Sequence, residues 1–265
     1  MLDQITPLIL TYNEEVNIER TLAKLDWAQR IVVIDSGSTD GTLKILCRYS
    51  QVHVFYHRFE DFAVQWNFGL EQVSTRWVLS LDADYVLSDD LVFELRQLTS
   101  TTSMVGYSAR FVYRICGRML RGSLYPSRTV LFLKEKARYN MDGHTQRLLI
   151  NGVVADLRGV IYHDDRKSLD RWFASQVKYA ALEAEHLQSA NRAALSRADR
   201  IRLMAWPAPI LVFLYVLVAK GCLFDGWAGW FYALQRLLAE TFLALKLTER
   251  RLALADREQQ HQSTT

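Results

Sequence analysis

The segment WVLSLDADYVLSDDL, residues 77–91, is a strongly apolar run that ends in two carboxylates. Asp82 and Asp84 stand one residue apart, and in an extended chain such side chains point to the same side. A buried carboxylate is costly unless a positive group meets it. The pair therefore indicates an oxygen site for Mg²⁺ or Mn²⁺. The alternative is a pair of solvated loop aspartates, one of them capping the helix expected after Ser88.

The chain before this segment alternates between short apolar runs and helical patterns. Strands are predicted at 5–12, 30–37, 52–57 and 76–83, and helices at 14–25, 40–49 and 62–73. Strands that are apolar on both faces and separated by helices indicate a mostly parallel sheet covered on both sides. The predicted class is an α/β sandwich of the doubly wound type. Its ligands are expected beyond the carboxyl ends of the strands.

The rest of the chain changes character twice. Residues 104–163 are predicted to form strands with more antiparallel pairing, joined by turns at Gly117, Gly122, Asn151 and Gly159. Residues 168–187 are predicted to form a long amphipathic helix. Residues 203–247 are intensely apolar and aromatic, and we expect two helices that form a hairpin at a membrane surface. A soluble helical pair packed on the main domain and a transmembrane span are the open alternatives. The tail DREQQHQSTT is predicted to be disordered.

Charge and cysteine content exclude several classes of protein. The net charge of +3 on 265 residues does not point to nucleic acid, and suits an anionic small molecule or an anionic membrane surface. The three cysteines form no C-x-x-C pair, so neither a disulfide framework nor a thiolate zinc site is indicated, which favours a reducing compartment. The start MLDQITPLIL lacks the pattern of a signal peptide.

A second acidic motif, VVIDSGSTDGT at 32–42, ends the second predicted strand with Asp35. An acidic residue at this point can hold a ribose hydroxyl. However, TYNEE follows the first strand, where a dinucleotide-binding protein has G-x-G-x-x-G, so a nicotinamide dehydrogenase is disfavoured. The chain also lacks the G-x-x-x-x-G-K-[ST] motif of P-loop kinases and ATPases.

Three motifs, LILTYNEEVNIERTL (8–22), VVIDSGSTDGT and WVLSLDADYVLSDDL, resemble in order and spacing the inverting glycosyltransferases of family 2, which have the GT-A nucleotide-sugar fold. Two further segments, RFEDFAVQWNFGLEQVSTRWVLSLDAD (58–84) and GCLFDGWAGWFYA (221–233), are similar to the lipopolysaccharide core β-1,4-glucosyltransferase group. The resemblance covers 5–165 well and the C-terminal region more loosely.

The resemblance implies a UDP-sugar donor, a divalent metal and a role for each matching residue. The nucleotide side would comprise Thr11, Tyr12, Asn13 and Glu14 around uracil and ribose, Asp35 on the uridine, and Gln65 and Asn67 on the helix before the metal strand. Asp82 would face the ribose and the metal, Asp84 would bind the metal that bridges the diphosphate, and His163 would lie near it. An ordinary strand-end histidine is the alternative for His163.

Transfer also requires a base for the acceptor hydroxyl. In the segment NMDGHTQRL (140–148), Asp142 is the predicted base, with His144 and Gln146 positioning the acceptor. Asp164 and Asp165 are rival bases, and a simple turn at 142–143 is the structural alternative. In the basic segment RMLRGSLYPSR (118–128), Arg121 or Arg128 would counter the charge of the diphosphate; a solvated basic loop is equally compatible with the sequence.

The function expected from these features is metal-dependent, inverting transfer of a sugar from a UDP-sugar to a membrane-associated or cell-envelope glycan or lipid acceptor. The expected place is the cytoplasmic face of the inner membrane, with contact to the membrane through 203–247. The expected organisation is a GT-A catalytic domain (1–165), an amphipathic helical segment (166–200), a membrane-associated hairpin (201–250) and a disordered tail (251–265). A catalytically silent nucleotide-sugar-binding or scaffold protein is the alternative. A nucleotidyltransferase would have a glycine-rich loop in place of TYNEEVN.

Overall fold

The computed structural model describes residues 1–99, 103–142, 145–191, 193 and 195–263. The chain divides into two compact units. Unit 1 comprises Met1–Met119 and Leu124–Lys167, and unit 2 comprises Leu120–Ser123 and Ser168–Thr265. All described residues of the predicted site belong to unit 1 except Arg121, which belongs to unit 2.

Unit 1 is an α/β structure. Its strands are β1 (Ile5–Thr11), β2 (Ile31–Asp35), β3 (Val52–Tyr56), β4 (Trp77–Asp82), β5 (Tyr85–Leu87), β6 (Gly106–Ile115), β7 (Arg118–Met119), β8 (Arg128–Leu133), β9 (Ala137–Asp142), β10 (Thr145–Ile150) and β11 (Val154–His163). Its helices are α1 (Ile18–Leu22), α2 (Thr42–Leu46), α3 (Phe62–Gln72) and α4 (Asp89–Gln97).

The main sheet has the strand order β3-β2-β1-β4-β8-β6-β11-β5. Strands β3, β2, β1 and β4 are parallel neighbours, as the alternating pattern predicts. Strand β8 pairs antiparallel with both β4 and β6, and β5 pairs antiparallel with β11, whereas β6 and β11 are parallel. The α/β class is thus confirmed, but the sheet as a whole is mixed, because β5 and β8 run antiparallel to the strands beside them.

Strands β1, β2 and β4 bury both faces, and successive residues belong to different cores. Leu8 and Val32 pack with Trp66 and Leu70 of α3. Ile9 lies in the other core, together with Ile18 and Leu22 of α1 and Leu91 and Leu95 of α4. The two-residue period of a strand explains this division, and it explains why these strands are apolar throughout.

Gly159 does not form the turn expected there, and this prediction is wrong. It lies within β11, at an irregularity in the pairing of β11 with β6. A Cβ at this position would lie 2.4 Å from the Cα of Leu91. The glycine therefore allows helix α4 to approach the strand closely, a role that a turn signal in the sequence does not distinguish.

Unit 2 is helical. It contains α5 (Leu169–Ser189), α6 (Arg197–Leu203), α7 (Pro207–Leu214), a π-helical turn (Tyr215–Ala219), a 3₁₀ turn (Cys222–Asp225) and α8 (Trp227–Ser263). Helix α5 confirms the predicted amphipathic helix. Helix α8 continues through most of the tail for which the composition predicts disorder, since that tail begins with good helix formers.

The helices of unit 2 enclose a small core of their own. Ala180 and Ala184 of α5 pack there with Leu243 and Leu247 of α8. Arg202 of α6 bonds Glu240 of α8 at 2.7 Å. Within the described residues, no helix has both the length and the apolarity needed to cross a bilayer.

Candidate active site

The polar ends of three neighbouring strands meet at one edge of the sheet. In the register of β1 with β2, Thr11 lies beside Asp35, and in the register of β1 with β4, Leu10 lies beside Asp82. Since these strands are parallel, their carboxyl ends are adjacent, where ligands of open α/β sheets bind. The sequence prediction that these motifs share one edge is confirmed.

Asp35 organises the loop that follows β2. Its buried carboxylate accepts hydrogen bonds from the Thr11 hydroxyl at 2.9 Å, from the Gly37 and Ser38 backbone N–H groups at 2.9 and 2.8 Å, and from the Ser38 hydroxyl at 2.6 Å. Both oxygens are thus engaged by protein groups. Asp35 fixes the shape of this loop, which is a role that the motif alone did not reveal.

Asn13 joins the loop after β1 to the loop after β2. Its backbone is left-handed, with φ +55°, a conformation that asparagine tolerates better than most residues. Its side-chain oxygen accepts from Thr39 N at 2.6 Å, and its own N–H donates to the Ser38 hydroxyl at 2.8 Å. The neighbouring Tyr12 side chain is about half exposed. The TYNEE and DSGST segments therefore form one connected wall of the site.

Gln65 and Asn67 hold backbone segments next to this wall. The Gln65 amide is buried and donates to the Ser36 hydroxyl at 2.9 Å and to the His57 carbonyl at 3.1 Å. Asn67 bonds both backbone groups of Tyr139, at 2.8 and 3.0 Å. Both side chains are predicted to line the nucleotide pocket, but in this structure their amides bond protein groups and hold those groups in place.

Asp84 and His163 form the electrostatic centre of the site. His163 Nε2 lies 3.1 Å from Asp84 Oδ2. Burial opposes ionisation of Asp84, but the charge and hydrogen bond of His163 outweigh it and lower the pKa of Asp84 to about 2. Burial, and then the charge of Asp84, raise the pKa of Asp82. A cation placed here would stabilise both carboxylates in their ionised form.

Three tyrosine rings surround His163. The ring centroids of Tyr85, Tyr113 and Tyr125 lie 5.3, 4.6 and 4.8 Å from that of the imidazole, and the Tyr85 and Tyr125 hydroxyls bond each other. Among the described residues, the buried His163 Nδ1 has no hydrogen-bond partner. Burial acts against protonation, yet the Asp84 carboxylate raises the pKa of His163 above its ordinary value.

The donor set of Asp82, Asp84 and His163 fits a divalent cation in its chemistry. Two carboxylates and an imidazole suit Mn²⁺, and the carboxylates alone suit Mg²⁺. In the part of the chain that the structure describes, no three His, Cys, Asp or Glu side chains are already grouped as metal ligands. The Asp84–His163 hydrogen bond occupies two of the atoms that would bind such an ion.

A cavity of about 240 Å³ opens beside Asp82. Its lining includes Arg128 and Gln146 from the predicted site, together with Trp66 and Tyr139, which stack with their centroids 5.3 Å apart. The Arg128 guanidinium also lies 4.8 Å from the centre of the Tyr125 ring. Its positive charge favours the ionised form of Asp82 and so acts to lower the pKa of that carboxyl. The side chain of Asp142 and all of His144 lie outside the described residues.

The two rival bases are held by other protein groups. Asp164 accepts from the guanidinium groups of Arg20 and Arg166, each at 2.9 Å, and from Gly117 N at 3.2 Å. Asp165 accepts from the Asn17 amide at 2.9 Å and from the Lys167 backbone N–H at 3.1 Å. Because a general base needs a free lone pair facing its substrate, the engaged and buried Asp164 suits that role poorly.

A buried ion pair that the motifs did not predict joins Glu14 to Lys167, with 2.6 Å between Oε1 and Nζ. Burial raises the pKa of Glu14 to about 7, although the charge of Lys167 acts in the opposite direction. The positive charge of Lys167 also favours the ionised form of Asp84 and so acts to lower its pKa. The sequence carries no signal for Lys167 or for the tyrosine cluster, apart from the position of Tyr85 directly after the acidic pair.

The raised pKa of Glu14 predicts a pH-dependent stability that Glu14→Gln removes. The folded state holds the Glu14 proton more tightly than the unfolded state, whose pKa is 4.5. This contribution is therefore complete below about pH 4.5 and is lost as the pH rises through about 7. Relative to Glu14→Gln, the unmodified protein should lose roughly 3 kcal/mol of unfolding free energy across this range. Urea denaturation at pH 4 and pH 8 measures it, and an unchanged difference would mean that Lys167 keeps Glu14 ionised.

Comparison with known proteins identifies the family of this chain from its sequence. The family model described as Glycosyl transferase family 2 matches residues 8–155. The lipopolysaccharide core biosynthesis glycosyltransferase LpsC of Rhizobium meliloti (strain 1021) is 26% identical over 256 residues, covering 93% of this chain and 92% of LpsC. A poly-β-1,6-N-acetyl-D-glucosamine synthase of Staphylococcus epidermidis is 33% identical over 99 residues, or 34% of this chain and 24% of that protein.

Among solved structures, S. aureus TarS 1–349 in complex with UDP matches with a TM-score of 0.47 and 14% identity, covering 94% of this chain and 92% of that fragment. Glucosyl-3-phosphoglycerate synthase from Mycobacterium tuberculosis, in complex with Mn²⁺, UDP and glucosyl-3-phosphoglycerate, matches with a TM-score of 0.46 and 18% identity, covering 71% and 81% of the two chains. The family match spans more than half of the sequence and contains the acidic motifs of all three strand ends, so this chain belongs to glycosyl transferase family 2.

Proposed function

We propose that the protein transfers a hexose from a UDP-sugar to a cell-envelope glycan or lipid acceptor, with inversion at the anomeric carbon. The observation that carries this proposal is the arrangement at the sheet edge. The wall built by Asn13 and Asp35 and the acidic group of Asp82, Asp84 and His163 belong to the same edge. A nucleoside can occupy the former while its diphosphate reaches the latter.

Asp82, Asp84 and His163 would hold Mg²⁺ or Mn²⁺ beside the diphosphate. When bound, such an ion supplies Lewis-acid stabilisation of the charge that develops on departing UDP. Arg128 supplies a second positive charge on the cavity side of Asp82. The tyrosine rings around His163 limit water there, which strengthens each of these charge interactions.

Asp142 is the proposed general base, and His144 and Gln146 are proposed to position the acceptor. As the acceptor oxygen bonds to the anomeric carbon, its proton passes to the Asp142 carboxylate and the bond from that carbon to UDP breaks. Attack from the side opposite UDP inverts the configuration. The transition state has oxocarbenium character, as in glycoside hydrolysis, and Gln146 lines the cavity in which the sugar would lie.

The acceptor class rests on the similarity to LpsC, whose name assigns it to lipopolysaccharide core biosynthesis. We therefore include in the proposal an envelope or lipid-linked glycan as acceptor, and the cytoplasmic face of the inner membrane as the place of transfer. The three free cysteines fit the reducing compartment expected on that side.

A donor screen tests the proposed function. The purified chain is incubated with UDP-glucose, UDP-galactose, UDP-N-acetylglucosamine or GDP-mannose, with a cell-envelope extract as acceptor and with or without Mn²⁺. We expect release of UDP from one UDP-sugar, dependent on the extract and on the metal. Release of GDP only, or no nucleotide release from any donor, would contradict the proposal.

A further inference from the structure

Helix α8 exposes a row of large apolar side chains. Trp227, Trp230, Phe231, Leu234, Leu238 and Leu245 are all exposed. Their spacing of three, four or seven residues places them along one side of the helix. The opposite side buries Ala228 and Ala233 and, further along the helix, Leu243 and Leu247. Helix α8 therefore has a second, exposed apolar side besides the one that packs in unit 2.

Helix α7 and the turn before α8 continue the same surface. Trp206, Val218 and Phe224 are 75%, 70% and 71% exposed. Further exposed apolar side chains in this segment are Met204, Ile210, Leu211, Leu214, Tyr215 and Leu223. We call the exposed apolar residues of 204–245 the apolar face. Exposed apolar residues collected in one region of a chain mark an interaction surface.

The apolar face is uncharged over most of its extent. Between 203 and 235 the only charged residues are Lys220 and Asp225, and Asp225 pairs with Arg121 of the same unit at 3.2 Å. Tryptophan is concentrated on the face, with Trp206, Trp227 and Trp230 all exposed. Tryptophan is the residue type enriched where protein meets the membrane–water interface.

Positive charge collects at one end of this surface. Helix α6 contributes Arg197 and Arg200, and α8 contributes Lys246, Arg250 and Arg251. Arg251 donates to the Leu203 carbonyl, so these two segments lie together. Within 197–203 and 246–251 the acidic residues are Asp199 and Glu249, and Glu249 pairs with Lys246 at 2.7 Å. Such a basic group beside an apolar surface complements anionic lipid headgroups.

We propose that the apolar face lies in the headgroup region of an anionic bilayer, with its tryptophan rings inserted and the basic end on the lipid phosphates. Amphipathic helices bind membranes in this orientation, through buried apolar area together with attraction to anionic lipid. A second copy of this chain could cover an apolar face as well, but the exposed tryptophans and the basic end favour anionic lipid as the occupant. The inference does not depend on the identity of the donor or on sugar transfer.

Vesicle sedimentation tests this proposal. The full chain is mixed with vesicles of phosphatidylethanolamine and phosphatidylglycerol, or of phosphatidylcholine alone. We expect stronger binding to the anionic vesicles, and at least about tenfold weaker partitioning for Trp227→Ser/Trp230→Ser. Both replaced side chains are exposed, so the fold should be retained, which circular dichroism checks.

The matched control is Phe93→Ser/Val153→Ser, which removes two exposed apolar side chains of unit 1 and should bind as the unmodified chain does. Absence of vesicle binding, or equal binding of the tryptophan variant, would overturn the proposal. Light scattering after size exclusion tests the alternative. If the unmodified chain forms a dimer, the tryptophan variant does not, and vesicles are not bound, the occupant of the face is a second copy.

Discussion

Replacing Asp84 with asparagine is expected to lower kcat/KM for sugar transfer about 1000-fold, while the fold is retained. The carboxylate is buried and held ionised by His163, and the amide removes a full negative charge with almost no change of shape. Loss of one preorganised electrostatic group at a reacting centre commonly costs two to three orders of magnitude, or about 3–4 kcal/mol. Steady-state UDP release measures the effect.

Asp156→Asn is the matched control for this variant. Asp156 also lies in unit 1, on β11, but its side chain is exposed. Its replacement should leave transfer unchanged within about twofold, because exposed substitutions away from a site have small effects. Normal turnover of Asp84→Asn, with both variants folded, would show that the proposed metal role of Asp84 is incorrect.

Replacing Asp142 with asparagine is expected to lower kcat between about 100-fold and 10,000-fold, the range attributed to general base catalysis. The amide cannot accept the acceptor proton, whereas nucleotide binding depends on other residues, so the affinity for UDP should not change. A loss in kcat with unchanged UDP binding is the pattern of a group that acts only in the transition state. Single-turnover transfer and calorimetric UDP binding provide the two measurements.

Asp165→Asn accompanies this experiment as the variant of the rival base. Its carboxylate already accepts from Asn17 and from the Lys167 N–H, so we expect loss of stability rather than loss of the chemical step. If Asp165→Asn abolished transfer and Asp142→Asn did not, the base would be Asp165. UDP binding by an unmodified chain that transfers no sugar to any acceptor would instead favour the silent nucleotide-sugar-binding protein.

The shared edge of the site was predictable because it follows from two periodic patterns. Apolar runs of strand length fix the ends of β1, β2 and β4, and parallel pairing brings Thr11, Asp35 and Asp82 together. Strand β5 is too short, at three residues, to produce a readable alternation. Its existence was therefore not predicted, and neither was the approach of Tyr85 to His163.

Local sequence patterns do not predict contacts between residues that are distant in the chain. Lys167 meets Glu14 only because β11 ends near the loop after β1, and Asn67 meets Tyr139 across 72 positions. The sequence predicts that Gln65 and Asn67 contact the nucleotide, because both lie on a helix near the site. A sequence does not distinguish a side-chain amide that faces a ligand from one that bonds a backbone group. The composition of 203–247, in contrast, already indicates an apolar surface. Only the fold shows which side of α8 is exposed.

Calorimetric titration of UDP in the presence of Mn²⁺ and in the presence of EDTA tests the central claim most directly. If Asp82, Asp84 and His163 hold a cation that grips the diphosphate, EDTA should weaken UDP binding at least about tenfold, or about 1.4 kcal/mol. Asp84→Asn should bind UDP equally weakly in both conditions. Tight UDP binding in EDTA, unchanged by Asp84→Asn, would contradict the proposed metal and diphosphate site.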